Sequence, residues 1–276
     1  MKKFTVLLLA FFSVGILSAC GNTDQTEKSK SAKEDKTITV AVALPTMTDI
    51  TKIAAKEAKK DGYTIKIAQV NDNVAYNDMV ENGEADANFA QHEPFMQQYN
   101  EAKDAHLVAI QPIYDVKIGF YSKDYASAEE IPEGKKIAIT NDAVNEGRAL
   151  KILADQGLIK LKEGVGYNGT IKDVVENPHG FEWLKVDLLN LSEAYSEPDV
   201  AMIYNYPAYL KKIDLTPKDA LFLEKRDSQH FAIQLVTREE LADSSKMKEL
   251  KKVMTSDAIR AYLEDDEHKD SSFATF

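Results

Sequence analysis

A stretch of roughly thirty residues near the start of the globular sequence restricts the fold more than any other part of the chain. Thr37 to Leu44 (TITVAVAL) reads as a strand, and Pro45 stops it. A segment of helical period follows, ending near Lys60, with Thr48 or Asp49 expected as its cap. Tyr63 to Val70 (YTIKIAQV) alternates as a second strand. Strand, helix, strand at this spacing makes the two strands parallel neighbours joined by a right-handed crossover. Such a unit implies a parallel sheet, so the chain is α/β.

The rest of the sequence extends this pattern. Asn77 to Asn82 reads as a short helix, Ala85 to Phe89 as a third strand, Pro94 to Asp104 as a helix and His106 to Ile113 as a fourth strand, with Ile118 to Ser122 extended beyond it. Lys135 to Thr140 is a short buried strand before a helix that ends at Gln156 and Gly157. Phe181 to Leu189 and Val200 to Tyr204 are further strands, Tyr206 to Lys212 a short helix, and Phe231 to Thr237 a late strand. Ser244 and Ser256 each stand before a terminal helix. Two α/β halves with a late strand and terminal helices describe a chain that leaves one lobe, builds another and returns. We expect lobe 1 over 37–115 plus 233–276 and lobe 2 over 116–232, with a ligand cleft between them, outside the carboxyl ends of the strands.

The first residues belong to a different regime. Lys2 and Lys3 precede an apolar run from Phe4 to Leu17 that is short of the roughly 20 residues a spanning helix needs, so residues 1–19 read as an export signal. Leu17-Ser18-Ala19-Cys20 resembles the bacterial lipobox, in which the cysteine is lipidated and becomes the new N-terminus. Cys20 is the single cysteine of the chain, which leaves no disulfide framework and gives the thiol a covalent use. Residues 20–36 carry no large apolar side chain and read as a disordered tether. Attachment to the membrane is therefore expected through acyl chains. The net charge of −11 argues against nucleic acid as a partner, and against an anionic membrane surface for the folded part.

Asn141 to Leu150 (NDAVNEGRAL) joins a strand end, a helix start and an arginine. With Asn145 as the cap, Arg148 falls in the first turn, where it opposes the helix dipole but lies beside unpaired backbone N–H groups. Together these offer a cradle to a carboxylate or phosphate. On that reading Arg148 contributes to binding and little to folding; the plainer alternative is a surface pair with a nearby glutamate. No nucleophile elbow, phosphate loop or HExxH motif is present, so no catalytic residue is assigned. His92 has no second His or Cys at ligand spacing, since His106, His179, His230 and His268 are scattered, so it reads as a half-buried histidine with no metal or cofactor beside it. Trp183 is assigned to the core, and among Tyr195, Tyr204, Tyr206 and Tyr209 the role of Tyr204 stays open.

Cys20, Asp86-Ala87-Asn88-Phe89, Gln91-His92-Glu93-Pro94, Tyr121-Ser122, Asn141-Asp142 and Asn145-Glu146-Gly147-Arg148-Ala149-Leu150 together resemble the NlpA-type methionine-binding lipoproteins, the substrate-binding components of ABC importers. The likeness runs from Cys20 to about Arg238. It implies a two-lobed periplasmic-binding-protein-like fold of type 2, a lipid anchor on the extracytoplasmic face of the cell membrane, and a permease with its cytoplasmic ATPase as partner. It also implies an amino acid, methionine, held between the lobes by Arg148, Asn145, Phe89 and His92. Several positions depart from the family pattern. Asn73 stands where a pocket Tyr is usual, and Phe95 where a Tyr is usual. Ile203-Tyr204-Asn205-Tyr206-Pro207-Ala208 replaces the common I-N-G-N-Y-A, which leaves open whether Asn205 or Tyr204 faces the ligand, and Ala232 replaces an Asn in the returning strand. Fewer hydrogen-bonding groups change selectivity, so a methionine-containing dipeptide or another small amino-acid-like solute is the alternative ligand. A surface lipoprotein acting in adhesion is the alternative role.

Overall fold

The computed structural model describes residues 35–225 and 229–276. The export signal, Cys20 and nearly all of the tether lie outside the described residues.

The opening crossover forms as the pattern requires. Strand β1 (Thr37–Val42) leads into helix α1 (Pro45–Ala58) and strand β2 (Thr64–Gln69), and β1 and β2 pair in parallel with Val40 opposite Ile67. Pro45 occupies the start of α1, where its missing N–H costs nothing. Neither Thr48 nor Asp49 caps the helix: Leu44 does, and the Thr48 hydroxyl bonds back to the Leu44 carbonyl from one turn inside (3.0 Å). The apolar stripe of α1, with Met47, Ile50, Ala54 and Ala58 all buried, packs on the sheet.

The chain continues through α2 (Ala75–Glu81), β3 (Ala87–His92), α3 (Glu93–Lys103), β4 (Leu107–Val116) and β5 (Gly119–Tyr121). Next come β6 (Lys136–Thr140), α4 (Ala143–Asp155), β7 (Lys160–Leu161), β8 (Val174–Glu176), β9 (Glu182–Val186) and β10 (Val200–Asn205). The last elements are α5 (Pro207–Leu210), β11 (Phe222–Leu223), β12 (Ile233–Arg238), α6 (Ser245–Met254), α7 (Asp257–Leu263) and β13 (Ser272–Ala274).

These strands form two main sheets, ordered β13-β4-β12-β3-β1-β2 and β11-β5-β10-β6-β9, with β7 and β8 as a separate hairpin. The chain passes from the first sheet to the second between β4 and β5 and returns between β11 and β12. The returning β12 inserts antiparallel between β3 and β4, so the late strand completes the first sheet. Helices α6 and α7 pack on α1.

The third strand begins and ends later than expected, running to His92 instead of Phe89. Its polar residues obscured it: Asn88 and Gln91 are buried and bond to Asn77 of α2, with Asn88 Nδ2 donating to Asn77 Oδ1 (2.9 Å) and Asn77 Nδ2 to Gln91 Oε1 (3.0 Å). A strand whose buried positions carry amides breaks the apolar alternation on which a sequence reading depends. The short edge strands β11 and β13 are too brief to leave a periodic signal.

Candidate functional site

The site grows from the start of α4. Asp142, not Asn145, is the cap: its carboxylate accepts from the Asn145 backbone N–H (2.8 Å) and from the Thr140 hydroxyl (2.5 Å). Burial raises the Asp142 pKa above its usual value, opposed by the hydrogen bonds from Thr140 and Asn145. Arg148 therefore sits in the second turn, beyond the unpaired N–H groups, and the cradle expected from a first-turn arginine does not form.

The rest of the motif has a steric purpose. Glu146 is buried, accepts from the Ile171 backbone N–H (3.0 Å) and pairs with Lys185. At Gly147 a Cβ would lie 2.0 Å from the Tyr167 carbonyl oxygen, so only glycine lets the 166–168 turn close on α4. Glu146 and Gly147 fix the helix against that turn, while Asn145 and Arg148 serve other contacts.

Arg148 is almost wholly buried, and its partner is remote in sequence. Its Nε donates to Glu224 Oε1 (3.0 Å), and its second terminal nitrogen, NH2, donates to Glu224 Oε2 (2.6 Å) and to the Val116 carbonyl (3.0 Å). Val116 and Glu224 lie at the two passages between the sheets, so one guanidinium ties both. The other nitrogen, NH1, has only a long contact to the Tyr206 hydroxyl (3.5 Å), and the Phe231 ring lies 4.3 Å from the guanidinium carbon. Burial works against the charge, but Glu224 outweighs it and holds the Arg148 pKa above its ordinary value. The pair is a buried one, and neither a surface pair nor an arginine dispensable for folding: losing one partner of such a pair costs about 3–5 kcal/mol.

From Arg148 the network crosses to the first sheet. The Tyr206 hydroxyl donates to Asn145 Oδ1 (2.8 Å), and His92 Nε2 lies 3.2 Å from the same oxygen. His92 Nδ1 accepts from the Phe95 backbone N–H (3.3 Å), which assigns the proton to Nε2. Burial first, and then the Arg148 charge, lower the His92 pKa to about 3, so the ring is neutral. His92 is thus fully buried and bridges the sheets, where a half-buried histidine was expected.

A cavity of about 20 Å³ lies beside this network, walled by Leu44, Met47, Asn73, Tyr76, His92, Phe95, Asn145, Leu188, Leu189, Tyr206, Tyr209 and Ile233, among others. Asn73, His92, Phe95 and Asn145 of the expected set meet there, whereas Arg148 is not in the wall and reaches it only through its long contact to Tyr206. Phe89 is buried behind them, edge-on to Tyr114 (5.9 Å between ring centres), and is absent from the wall. Asn205 bonds to the Ser192 hydroxyl (2.9 Å) and to the Tyr206 backbone N–H (2.9 Å), which makes it a support. Tyr204 packs edge-on against Phe120 (5.8 Å) and is likewise outside the wall. The side chain that faces the network is Tyr206, directly after the carboxyl end of β10, where the rule for ligands of α/β sheets would have placed it. In the returning strand Ile233 reaches the wall, not Ala232. Glu224 left no sequence signal, because it stands 76 residues from Arg148. Trp183 is partly buried against the core.

A larger cavity of about 250 Å³ lies beyond Leu44 and Tyr206, which wall both spaces. Tyr114, Pro207, Leu215 and Tyr262 give it apolar walls, and Lys211, Lys218, Glu267 and Asp270 are at its polar side. Among the described residues no group of three or more His, Cys, Asp or Glu side chains is arranged to hold a metal ion, and no helix is long and apolar enough to cross a membrane.

Comparison with known proteins agrees with this architecture. The family model described as NlpA lipoprotein matches residues 38–275. The methionine-binding lipoprotein MetQ of Bacillus subtilis is 32% identical over 267 residues, 96% of this chain and 96% of the relative. A crystal structure of a YaeC-family lipoprotein from Enterococcus faecalis is 53% identical, with a TM-score of 0.77 over 88% of this chain and all of the other. A nutrient-binding protein from Burkholderia cenocepacia, solved bound to methionine, is 32% identical, with a TM-score of 0.81 over 87% of this chain and all of the other.

Proposed function

The chain belongs to the NlpA lipoprotein family, and from that premise we propose that it is the lipid-anchored substrate-binding component of an ABC importer, taking methionine between its lobes. The lobes are taken over 37–115 plus 233–276 and 116–232, and the two sheets follow this division except at Val116, which ends β4 in the first sheet. The observation that carries this reading is the buried network of His92, Asn145, Tyr206 and Arg148, which joins the sheets beside a wall that is otherwise largely apolar.

Such a network suits a zwitterion with an apolar side chain. Arg148 spends Nε and NH2 on Glu224 and keeps NH1 for an α-carboxylate, with Tyr206 and Asn145 fixing the angle. Leu44, Met47, Phe95, Leu188, Leu189 and Ile233 suit a thioether chain. Neutral His92 adds no charge to the site and closes it as a hydrogen-bonding bridge. The site has no catalytic role; it recognises and releases, and a permease with a cytoplasmic ATPase takes the solute on.

The cavity beyond Leu44 and Tyr206 favours a second ligand, a methionine-containing dipeptide, because its 250 Å³ offers room that the smaller space lacks. Calorimetry of the purified protein with L-methionine and with Gly-Met decides between them. Binding of methionine with no heat from Gly-Met supports the first; the reverse supports the second, and binding of neither contradicts the importer reading.

Cys20 is the anchor in this account, by the lipobox before it and the polar tether behind it. Cys20→Ala should move the protein from the membrane fraction to the soluble one. Retention equal to that of the parent would place the anchor elsewhere.

A further inference from the structure

We propose that Tyr209 is a specificity-determining residue of the site between the sheets, its hydroxyl donating a hydrogen bond to a neutral acceptor atom in the side chain of the bound amino acid. This rests on the amino-acid reading above and adds a residue that neither the sequence motifs nor the family likeness marks.

Tyr209 stands in α5 and walls the smaller cavity together with Asn73 and Met47. The residue is 4% exposed, and its hydroxyl has no hydrogen-bond partner among the described residues. A buried hydroxyl without a partner costs roughly 1–3 kcal/mol, and one kept at a cavity wall is matched to something the cavity takes in. The hydroxyls of Tyr121 and Tyr204 are also unpartnered, but neither residue walls this cavity or the larger one.

The surroundings decide what the hydroxyl meets. Tyr206, Asn145 and His92 satisfy one another and do not bond to Tyr209. Asn73, in the same wall, spends its oxygen on the Tyr76 hydroxyl (3.1 Å), so its amide has donors left to offer. The side chains of Leu188, Leu189 and Met47, also in the wall, offer no polar atom beyond the weakly accepting Met47 sulfur. An anion would be stranded among these side chains, whereas a neutral acceptor within an otherwise apolar chain pairs with the hydroxyl and leaves the rest in apolar contact. Thioether sulfur is a weak acceptor of this kind and ether oxygen a stronger one, while a methylene is none.

The test is a calorimetric titration of the full folded chain and of Tyr209→Phe with three ligands of nearly equal shape: L-norleucine, L-methionine and the ether analogue in which oxygen replaces the sulfur. The expected loss on Tyr209→Phe is about tenfold for the ether, a few-fold for methionine and none for norleucine, the scale of one net hydrogen bond. Equal loss for all three, as a structural role or a bridging water would give, overturns the proposal, and so does no loss for any. Should the parent bind none of the three, the amino-acid reading itself fails and the proposal falls with it. Binding of all three without discrimination by Tyr209→Phe removes the proposal alone.

Discussion

At the scale of single residues, the motif Asn145 to Leu150 divides its work. Asn145 and Arg148 join the hydrogen-bonded network, Glu146 and Gly147 hold the adjoining turn, and Ala149 and Leu150 are fully buried in the core. Gly147 gives the sharpest stability prediction. Gly147→Ala puts a methyl 2.0 Å from the Tyr167 carbonyl oxygen, so backbone must give way. We expect a loss of about 1–3 kcal/mol, read from the urea midpoint, although alanine is the better helix former. A stabilised variant would mean that the turn does not sit on α4. The residues of this motif could be singled out in the sequence, but their partners could not. Glu224 reaches α4 only after the chain has built the whole second sheet, and a pairing at that distance leaves no local pattern; Tyr167 is nearer in sequence but contacts Gly147 through its backbone carbonyl, which no side-chain pattern marks.

At the scale of elements, the strand-helix-strand start was legible because α1 and its flanking strands follow simple periods. Strand β3 was less so, since its inward positions Asn88, Gln91 and His92 are polar and are satisfied by partners elsewhere. The site was half legible for a related reason. His92, Phe95 and Asn145 could be named, whereas Tyr206 was one of several tyrosines until the end of β10 fixed its place. The junction of β3 with α3 also carries a pH dependence. His92 has a native pKa of about 3 against an ordinary value near 6.5. Above pH 6.5 neither state holds the proton, and His92 contributes no slope. As pH falls below 6.5 the unfolded chain takes up a proton that the native ring refuses until about pH 3, so stability falls by roughly 1.4 kcal/mol per pH unit from this group. His92→Gln keeps a donor for Asn145 and cannot titrate. Urea midpoints between pH 7 and 4 should therefore fall less steeply in the variant than in the parent, and parallel slopes would mean that His92 is charged in the native state.

At the scale of the whole molecule, one buried cation links the parts. The chain passes twice between the sheets, at Val116 to Ile118 and after Leu223, and Arg148 from the second sheet's first helix bonds at both passages. The Glu224 backbone is held at the same place, its N–H donating to the Ile118 carbonyl (2.7 Å). Recognition of a carboxylate at the remaining nitrogen of Arg148 would thus be coupled to both passages between the sheets. This coupling makes Arg148→Ala a poor probe, because it leaves Glu224 buried without its partner and confuses loss of binding with loss of fold. Arg148→Lys keeps the positive charge beside Glu224 and removes the planar fork, including the nitrogen assigned to the ligand. The most direct test is therefore the affinity for L-methionine, measured by calorimetry, of Arg148→Lys against the parent. A loss of about 1.5–3 kcal/mol in binding is expected, the scale of one hydrogen bond to a charged group. Unchanged affinity in the folded variant would contradict it, and would mean that Arg148 braces the passages between the sheets and takes no part in binding.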